Sequence, residues 1–513
     1  MRLIGERFVK ILSLLWPQGW SLSCLMILEL AALGPAANTS ARASAAEPTN
    51  KPNAGGEAGA MGEPRYLLFW RAPEQVLELV RQLGGNGDRR SRLLGFGVPI
   101  SAFDEEKELP TRIHTAFAAA RAHDLAVMLS FDFHIAWRSR PDLWNWFDTN
   151  RPGYNAANRT NVEWFGWDGP PAKTRYLNWG VVERMAPPPC LTSEVYRSEV
   201  RRLVREVIAP PLKEELAASD REGKGRLFAG VLVGAEPGIE DWSNPDAQTA
   251  KLMAEDGVPR GRLGYRALLD LGYTQNKPPA DLQQALAGVI QETVGFWCRE
   301  FAEAGLPPER LYPHVAAEMP EVSGALVSAA FNAWSRPGWT TYPVGLLAGG
   351  FGPLYSELQK RGNPPWGGVE ANDGFPGAAV DWETYLGWHY NHGAVLVAIN
   401  TGATGQELPN QLEKSAFGQE ALAAYRKFLA GDPLREKPVT DMPQFRVRRK
   451  MEALQAGFKV WQAAGRDPAP IGRYVEERLG PLLQAGKLSE AETVIEEGLR
   501  RLAAPPGAAT TGK

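Results

Sequence analysis

Cysteine is scarce in this sequence. There are 3 in 513 residues, and Cys24 lies in the apolar N-terminal run, leaving only Cys190 and Cys298 for the body. Two thiols so far apart cannot make a disulfide framework, so a hydrophobic core must carry stability. Charge of one sign is also lacking: the net charge is -3 and no basic stripe appears, which argues against nucleic acid as a partner. Long apolar runs are missing too. A membrane span needs about 20 consecutive apolar residues, and the best candidate, residues 11–33, is interrupted by Pro17, Gln18, Gly19 and Glu29. There is no G-x-S-x-G elbow, phosphate-binding loop, His-x-His pair or His-Glu-x-x-His helix. Gly95-Phe96-Gly97 starts like a dinucleotide fingerprint, but Ile100 stands where its third glycine is needed. No organic cofactor or metal is implied.

Arg2, Arg7 and Lys10 precede the apolar run, and Ala43-Ser44-Ala45 closes it, which is the layout of a cleaved export signal over residues 1–45. A secreted or periplasmic protein, free of the membrane after cleavage, is the expectation; a retained anchor is the alternative. Cys24 is followed by Leu25, Met26 and Ile27, inside the run and not at its end, so a lipoprotein signal does not fit. Residues 46–64 are Pro, Gly, Ala, Asn and Glu with little to bury, and read as a disordered linker.

From residue 65 to 412 strand-like apolar runs alternate with helical patterns, the sign of parallel strands joined by crossover helices. The runs are 66–70, 93–100, 126–131, 227–233, 311–315, 339–342, 366–369 and 395–399, with helices at 110–123, 193–217, 265–271, 282–304 and 381–390. Eight such strands predict an α/β fold of the (β/α)8 TIM-barrel type. A doubly wound open sheet is the alternative, and 325–334 competes with 339–342 for the sixth strand. Residues 413–502 read as a helical extension with helices at 419–429, 446–462, 471–483 and 488–502, the last two resembling a single tetratricopeptide-type pair; 503–513 reads as a disordered tail. Oligomeric state has no signature in the sequence.

Barrel active sites are built at the C-terminal ends of strands, which makes the residues after each apolar run the candidates. Asp132 and His134 follow the third run, Glu236 the fourth within Gly234-Ala235-Glu236-Pro237-Gly238, and His314 lies in the fifth. Thr340 and Tyr342 lie in the sixth. Trp366 opens the seventh, which ends in Glu370, Asn372 and Asp373, and Asn400 ends the eighth. Glu236 and Glu370 are the expected catalytic pair, because carboxylates after apolar and glycine residues are costly to bury without a partner or a task. Asp132, His134, His314, Tyr342, Trp366, Asn372 and Asp373 are expected to bind substrate.

Glutamates ending strands four and seven resemble the clan A retaining glycoside hydrolases, barrel enzymes that use the first as acid/base and the second as nucleophile. The resemblance implies a carbohydrate substrate, oligo- or polysaccharide, cleaved without metal or organic cofactor. Ala235 departs from the pattern, which usually places asparagine before the strand-four glutamate to contact the sugar 2-hydroxyl. The insert between strands three and four carries Trp137, Trp144, Trp146, Tyr154, Trp164, Phe165, Trp167, Tyr176 and Trp179. With Trp242, Trp334, Trp339 and Trp388 these are expected to line a sugar cleft. Two other readings stay open: a noncatalytic carbohydrate-binding barrel, and a metal-dependent hydrolase using His134, His314, His389 and His392 with Asp132 and Asp373.

Overall fold

Eight apolar runs form one parallel sheet that curls back on itself. The computed structural model describes residues 63–86, 91–178, 182–316, 325–341, 351–372, 381–400, 417–437, 443–484 and 487–503. The expected leader, most of the linker, Trp179, Tyr342, Asp373 and all but the first residue of the tail lie outside them. No helix among the described residues is long and apolar enough to cross a membrane.

Strands β1 (Arg65–Phe69), β2 (Arg92–Ser101) and β3 (Ala126–Asp132) precede the insert. The insert contributes an antiparallel hairpin, β4 (Arg175–Asn178) with β5 (Val182–Met185). Strands β6 (Phe228–Val233), β7 (Leu311–Pro313), β8 (Gly338–Thr340), β9 (Trp366–Asn372) and β10 (Ala394–Asn400) complete the sheet. Its order is β7-β6-β3-β2-β1-β10-β9-β8. The two ends meet through a parallel bridge between Val315 and Trp339, where the Thr340 N–H donates to the Val315 carbonyl at 3.0 Å. This is the (β/α)8 barrel, and the open-sheet alternative is excluded. Residues 327–330 form a 3-10 turn, so the sixth barrel strand is β8.

Because successive side chains in a strand face opposite ways, each run supplies two layers. Tyr66, Leu68, Leu93, Met128, Leu232 and Leu396 fill the barrel interior with other buried side chains. Leu67, Phe69, Leu94, Val127, Leu129 and Val397 face outward into the larger cluster under the helices. Several helices start where an aspartate or serine accepts from the exposed first-turn N–H groups: Ser193, Asp246, Asp281 and Asp381. The helix expected over 193–217 runs from Glu194 to Arg221 but widens to a π turn at Leu203–Ile208. Pro210 and Pro211 follow immediately and lack the N–H groups that would continue the ordinary ladder.

The C-terminal helices divide. Gln419–Ala430 packs on the barrel: Tyr425 is fully buried with its ring 5.4 Å from Phe69 and 5.9 Å from Trp382, and Phe428 stacks on Tyr390 at 4.5 Å. The helices Pro443–Ala463, Ala469–Gln484 and Leu488–Ala503 instead bury Val447, Met451, Leu454, Val475, Leu479 and Ile495 among themselves. The tetratricopeptide-like pair is therefore completed by the helix before it. Removing a fully buried aromatic ring costs about 3–5 kcal/mol, so Tyr425→Ala should lower the melting temperature measurably. An unchanged melting temperature would show that this helix is dispensable to the barrel.

Candidate active site

The strand ends from β6 round to β10 place five polar side chains on one arc of the barrel mouth. Two local distortions aim the glutamates inward. Gly234 leaves β6 at φ 82°, where a Cβ would meet the Trp297 ring at 2.5 Å, and Glu236 itself sits at φ 45°. A left-handed backbone is uncommon for a residue with a side chain and concentrates at functional sites. On β9 the register slips against both neighbours: Val397 and Ile399 pair with Gly368 and Ala371, while Trp339 and Thr340 pair with Gly368 and Glu370. Such a bulge re-aims a side chain, here that of Glu370.

Glu236 Oε1 accepts from the Thr340 hydroxyl at 2.8 Å, and Glu370 Oε1 accepts from Asn400 Nδ2 at 2.5 Å. His314 stands between the two acids, its Nε2 2.8 Å from Glu370 Oε2 and 3.8 Å from Glu236 Oε1. The shorter approach is an ion-pair contact without the alignment of a hydrogen bond. One oxygen of each glutamate and a ring nitrogen of His314 all lie within 4.8 Å of one another. Burial raises the Glu236 pKa, and the charge of Glu370 raises it further, against His314, Thr340 and Arg175. Burial pulls His314 down, but its contacts with Glu370 and Glu236 outweigh that and the net direction is up. Both shifts favour the protonated form, of Glu236 through burial and its neighbour's charge and of His314 through the two glutamates.

These three residues are also where a divalent cation could find three ligand atoms. The wider histidine set does not converge. His389 is enclosed, with Nδ1 at 2.8 Å from the Tyr385 carbonyl and Nε2 at 2.9 Å from Thr341 Oγ1, and burial lowers its pKa to about 4. His392 stacks on Tyr355 at 3.8 Å and meets Glu436 at 2.8 Å. Neither serves the mouth.

Several expected substrate contacts are spent on the fold. Asp132 accepts from the backbone N–H groups of His134, Ile135 and Ala136 at 2.8, 2.9 and 3.0 Å, holding the turn after β3. His134 is buried, and burial, then the charge of Arg175, keeps its pKa well below the usual histidine range. Trp137 has no exposed surface; its Nε1 donates to the Pro187 carbonyl and its ring packs on Phe103 and Tyr196. Trp366 is equally enclosed between Trp339 and His389, with Nε1 donating to the His392 carbonyl. Trp242 is buried beside Phe165 and Tyr176. Trp164 stays partly exposed, with the guanidinium groups of Arg159 and Arg266 5.2 and 5.7 Å from its ring. Asn372 pairs in register with Asn400 at the end of its strand. The insert thus extends the core under the rim through Trp137 and Trp144, while Trp146, Trp164 and Trp167 stay partly exposed.

Sequence reasoning gave no role to Arg175 or Trp70. Arg175, on the hairpin of the insert, pairs with Glu240 and reaches the His134 carbonyl at 3.4 Å; an arginine inside an aromatic insert has no period to reveal it. Trp70 follows Tyr66 and Leu68 at spacing two, which does mark it as inward-facing.

No family model matches this chain, and no curated protein matches its sequence. Among solved structures it is similar to a broad-specificity GH5-4 endoglucanase from an uncultured bacterium, at 9% identity over 69% of this chain and 83% of the other, TM-score 0.34. It is also similar to beta-glucosidase 1317, at 10% identity over 71% and 89%, TM-score 0.36, and to beta-glycosidase BGL167, at 12% over 71% and 88%, TM-score 0.34. Superpositions this loose transfer no residue role, and the barrel stands on its own strand order.

Two substitutions separate scaffold from site. Trp137→Ala should destabilise by about 3–5 kcal/mol and leave ligand affinity of the folded fraction unchanged; weakened affinity at unchanged stability would return the ring to the cleft. Glu163, buried in the insert, is pushed by burial to about 8. Its folded pKa lies above the unfolded value, so the native state keeps a proton that the unfolded chain releases, and stability falls as pH rises from about 4.5 toward 8. Glu163→Gln should therefore raise the melting temperature at pH 7 and make little difference at pH 4.5. An equal effect at both pH values would contradict the buried neutral acid.

Proposed function

We propose that this chain is a glycoside hydrolase that cleaves an oligo- or polysaccharide with retention of configuration, using Glu236 as acid/base and Glu370 as nucleophile. The observation that carries the reading is the pair of half-buried carboxylates with oxygens within 4.8 Å of each other at the barrel mouth. Retaining pairs stand about 5–5.5 Å apart, whereas inverting pairs leave about 6.5–9.5 Å for a water molecule. The export-type N-terminus suits action on an extracellular or periplasmic glycan.

In the first step the Glu370 carboxylate attacks the anomeric carbon while protonated Glu236 gives its proton to the glycosidic oxygen, so the C–O bond to the leaving group breaks as the glycosyl ester forms. The negative charge on Glu370 is consumed, which removes one of the influences holding the proton on Glu236. Glu236, now a carboxylate, takes a proton from water as the water oxygen attacks the anomeric carbon and Glu370 departs. Thr340 orients Glu236, and Asn400 and His314 hold Glu370. A metal-dependent hydrolysis would draw on the same Glu236, His314 and Glu370, and activity in excess chelator distinguishes it, since two carboxylates act without an ion.

Glu370→Ala should abolish turnover, and azide should partly restore it with a glycosyl azide of inverted configuration. Glu236→Ala should slow substrates with poor leaving groups by about 10²–10⁴-fold while sparing the first step for very good ones. The alkaline limb of kcat/KM, where a raised acid loses its proton, should disappear in that variant. Full turnover by Glu370→Ala, or an unchanged alkaline limb in Glu236→Ala, would overturn the assignment.

A further inference from the structure

The polar arc spans five of the eight barrel strands. Glu236, His314, Thr340, Glu370 and Asn400 come from β6 through β10, and β1, β2 and β3 complete the mouth. Tyr66 and Leu68 point into the barrel, and Trp70, two residues on, packs against the same interior cluster at its upper end. The Trp70 N–H donates to the Ile399 carbonyl at 3.0 Å, and Phe69 pairs with Ile399. Trp70 and Asn400 therefore stand side by side on neighbouring strands, about 4.8 Å apart, and Asn400 is the residue that touches Glu370.

The indole does not lean toward Asn400. It lies over β2, where a Cβ on Gly97 would meet three of its ring carbons at 2.4–2.9 Å. Leu93, Gly95 and Gly97 alternate along the inward face of β2, and the missing side chain at Gly97 lets the ring rest on the strand. Trp70 remains half-buried, in contrast to the enclosed Trp137 and Trp366. Its Nε1 is nonetheless buried and has no hydrogen-bond partner among the described residues. A buried N–H of this kind costs stability unless something completes it, and an indole usually finds a partner when buried. Packing alone does not account for the placement.

We infer that Trp70 is the aromatic platform of the subsite in which the reacting sugar sits, the exposed part of its ring against the sugar, on the stretch of rim beside Asn400 and two strands round from Glu370. The inference rests on the hydrolase reading above and deepens it. Pyranose rings present a face of C–H groups that packs against an aromatic plane, while their hydroxyls point sideways. An indole on the rim near the carboxylate pair matches that anatomy. Trp70 is then a specificity-determining residue: it selects rings with an unobstructed C–H face and places their anomeric carbon toward Glu370.

The test uses activated 2-deoxy-2-fluoro glycosides of the gluco, galacto and xylo series, whose glycosyl esters accumulate and are located by peptide mass spectrometry. Wild-type protein should be labelled on Glu370 by at least one of them. No labelling by any would overturn the hydrolase reading and the subsite with it. Given labelling, Trp70→Ala should lower the second-order rate of inactivation by about tenfold or more, the scale of one lost aromatic contact. Trp70→Phe, which keeps a ring but loses the N–H, should recover part of that rate. Both rates are referred to the folded fraction from thermal melts. Inactivation of folded Trp70→Ala at the wild-type rate would overturn the platform while leaving the hydrolase reading intact.

Discussion

Two carboxylates and one imidazole within 4.8 Å of one another set the terms for everything else at the mouth of this barrel. At an effective dielectric near 20, two full negative charges at that separation repel by roughly 3 kcal/mol. Burial adds to the cost, since neither acid is solvated as it would be in water. The arrangement resolves it by division of labour. Glu236 is biased toward its neutral form by burial and by its neighbour's charge, and His314 is biased toward its cation by the two glutamates.

The scaffold is shaped around that triangle. The closed sheet fixes β6, β7, β8 and β9 side by side, so that residues distant in sequence meet without any loop spanning them. Small departures from regularity do the final aiming: the left-handed backbone at Glu236 and the register slip on β9 before Glu370. Each is a local cost, held by the surrounding packing, of which the Trp297 ring against Gly234 is one part. Beneath the rim, Asp132 ties down the turn after β3, and Arg175 carries a positive charge from the insert toward the same region.

The strands were legible in the sequence because buried parallel strands are written as apolar runs between turn residues, and all eight fall within a few residues of their expected bounds. Glu236 and Glu370 stand out for the same reason, as charges placed where an apolar run stops, and the structure brings their side chains together. The aromatic insert was not. In an irregular segment no period says which way an indole points, and a tryptophan packed under a rim has the same letter as one on its surface; Trp137 and Trp164 are engaged by the protein itself. Asp132 shows the complementary limit, since a polar residue after a strand can serve either a ligand or the next turn's N–H groups. Trp70 could have been read from the alternation Tyr66, Leu68, Trp70, but its place beside Asn400 needed the order of strands around the barrel.

The close approach of the two glutamates is the central claim, and the stereochemistry of turnover tests it most directly. Hydrolysis of a cleaved glycan followed by proton NMR shows the anomer released first, before mutarotation mixes the two. A double displacement between Glu236 and Glu370 predicts a first product with the anomeric configuration of the substrate. A first product of opposite configuration would mean a single displacement by water, and would contradict Glu370 as nucleophile and Glu236 as the acid that turns base.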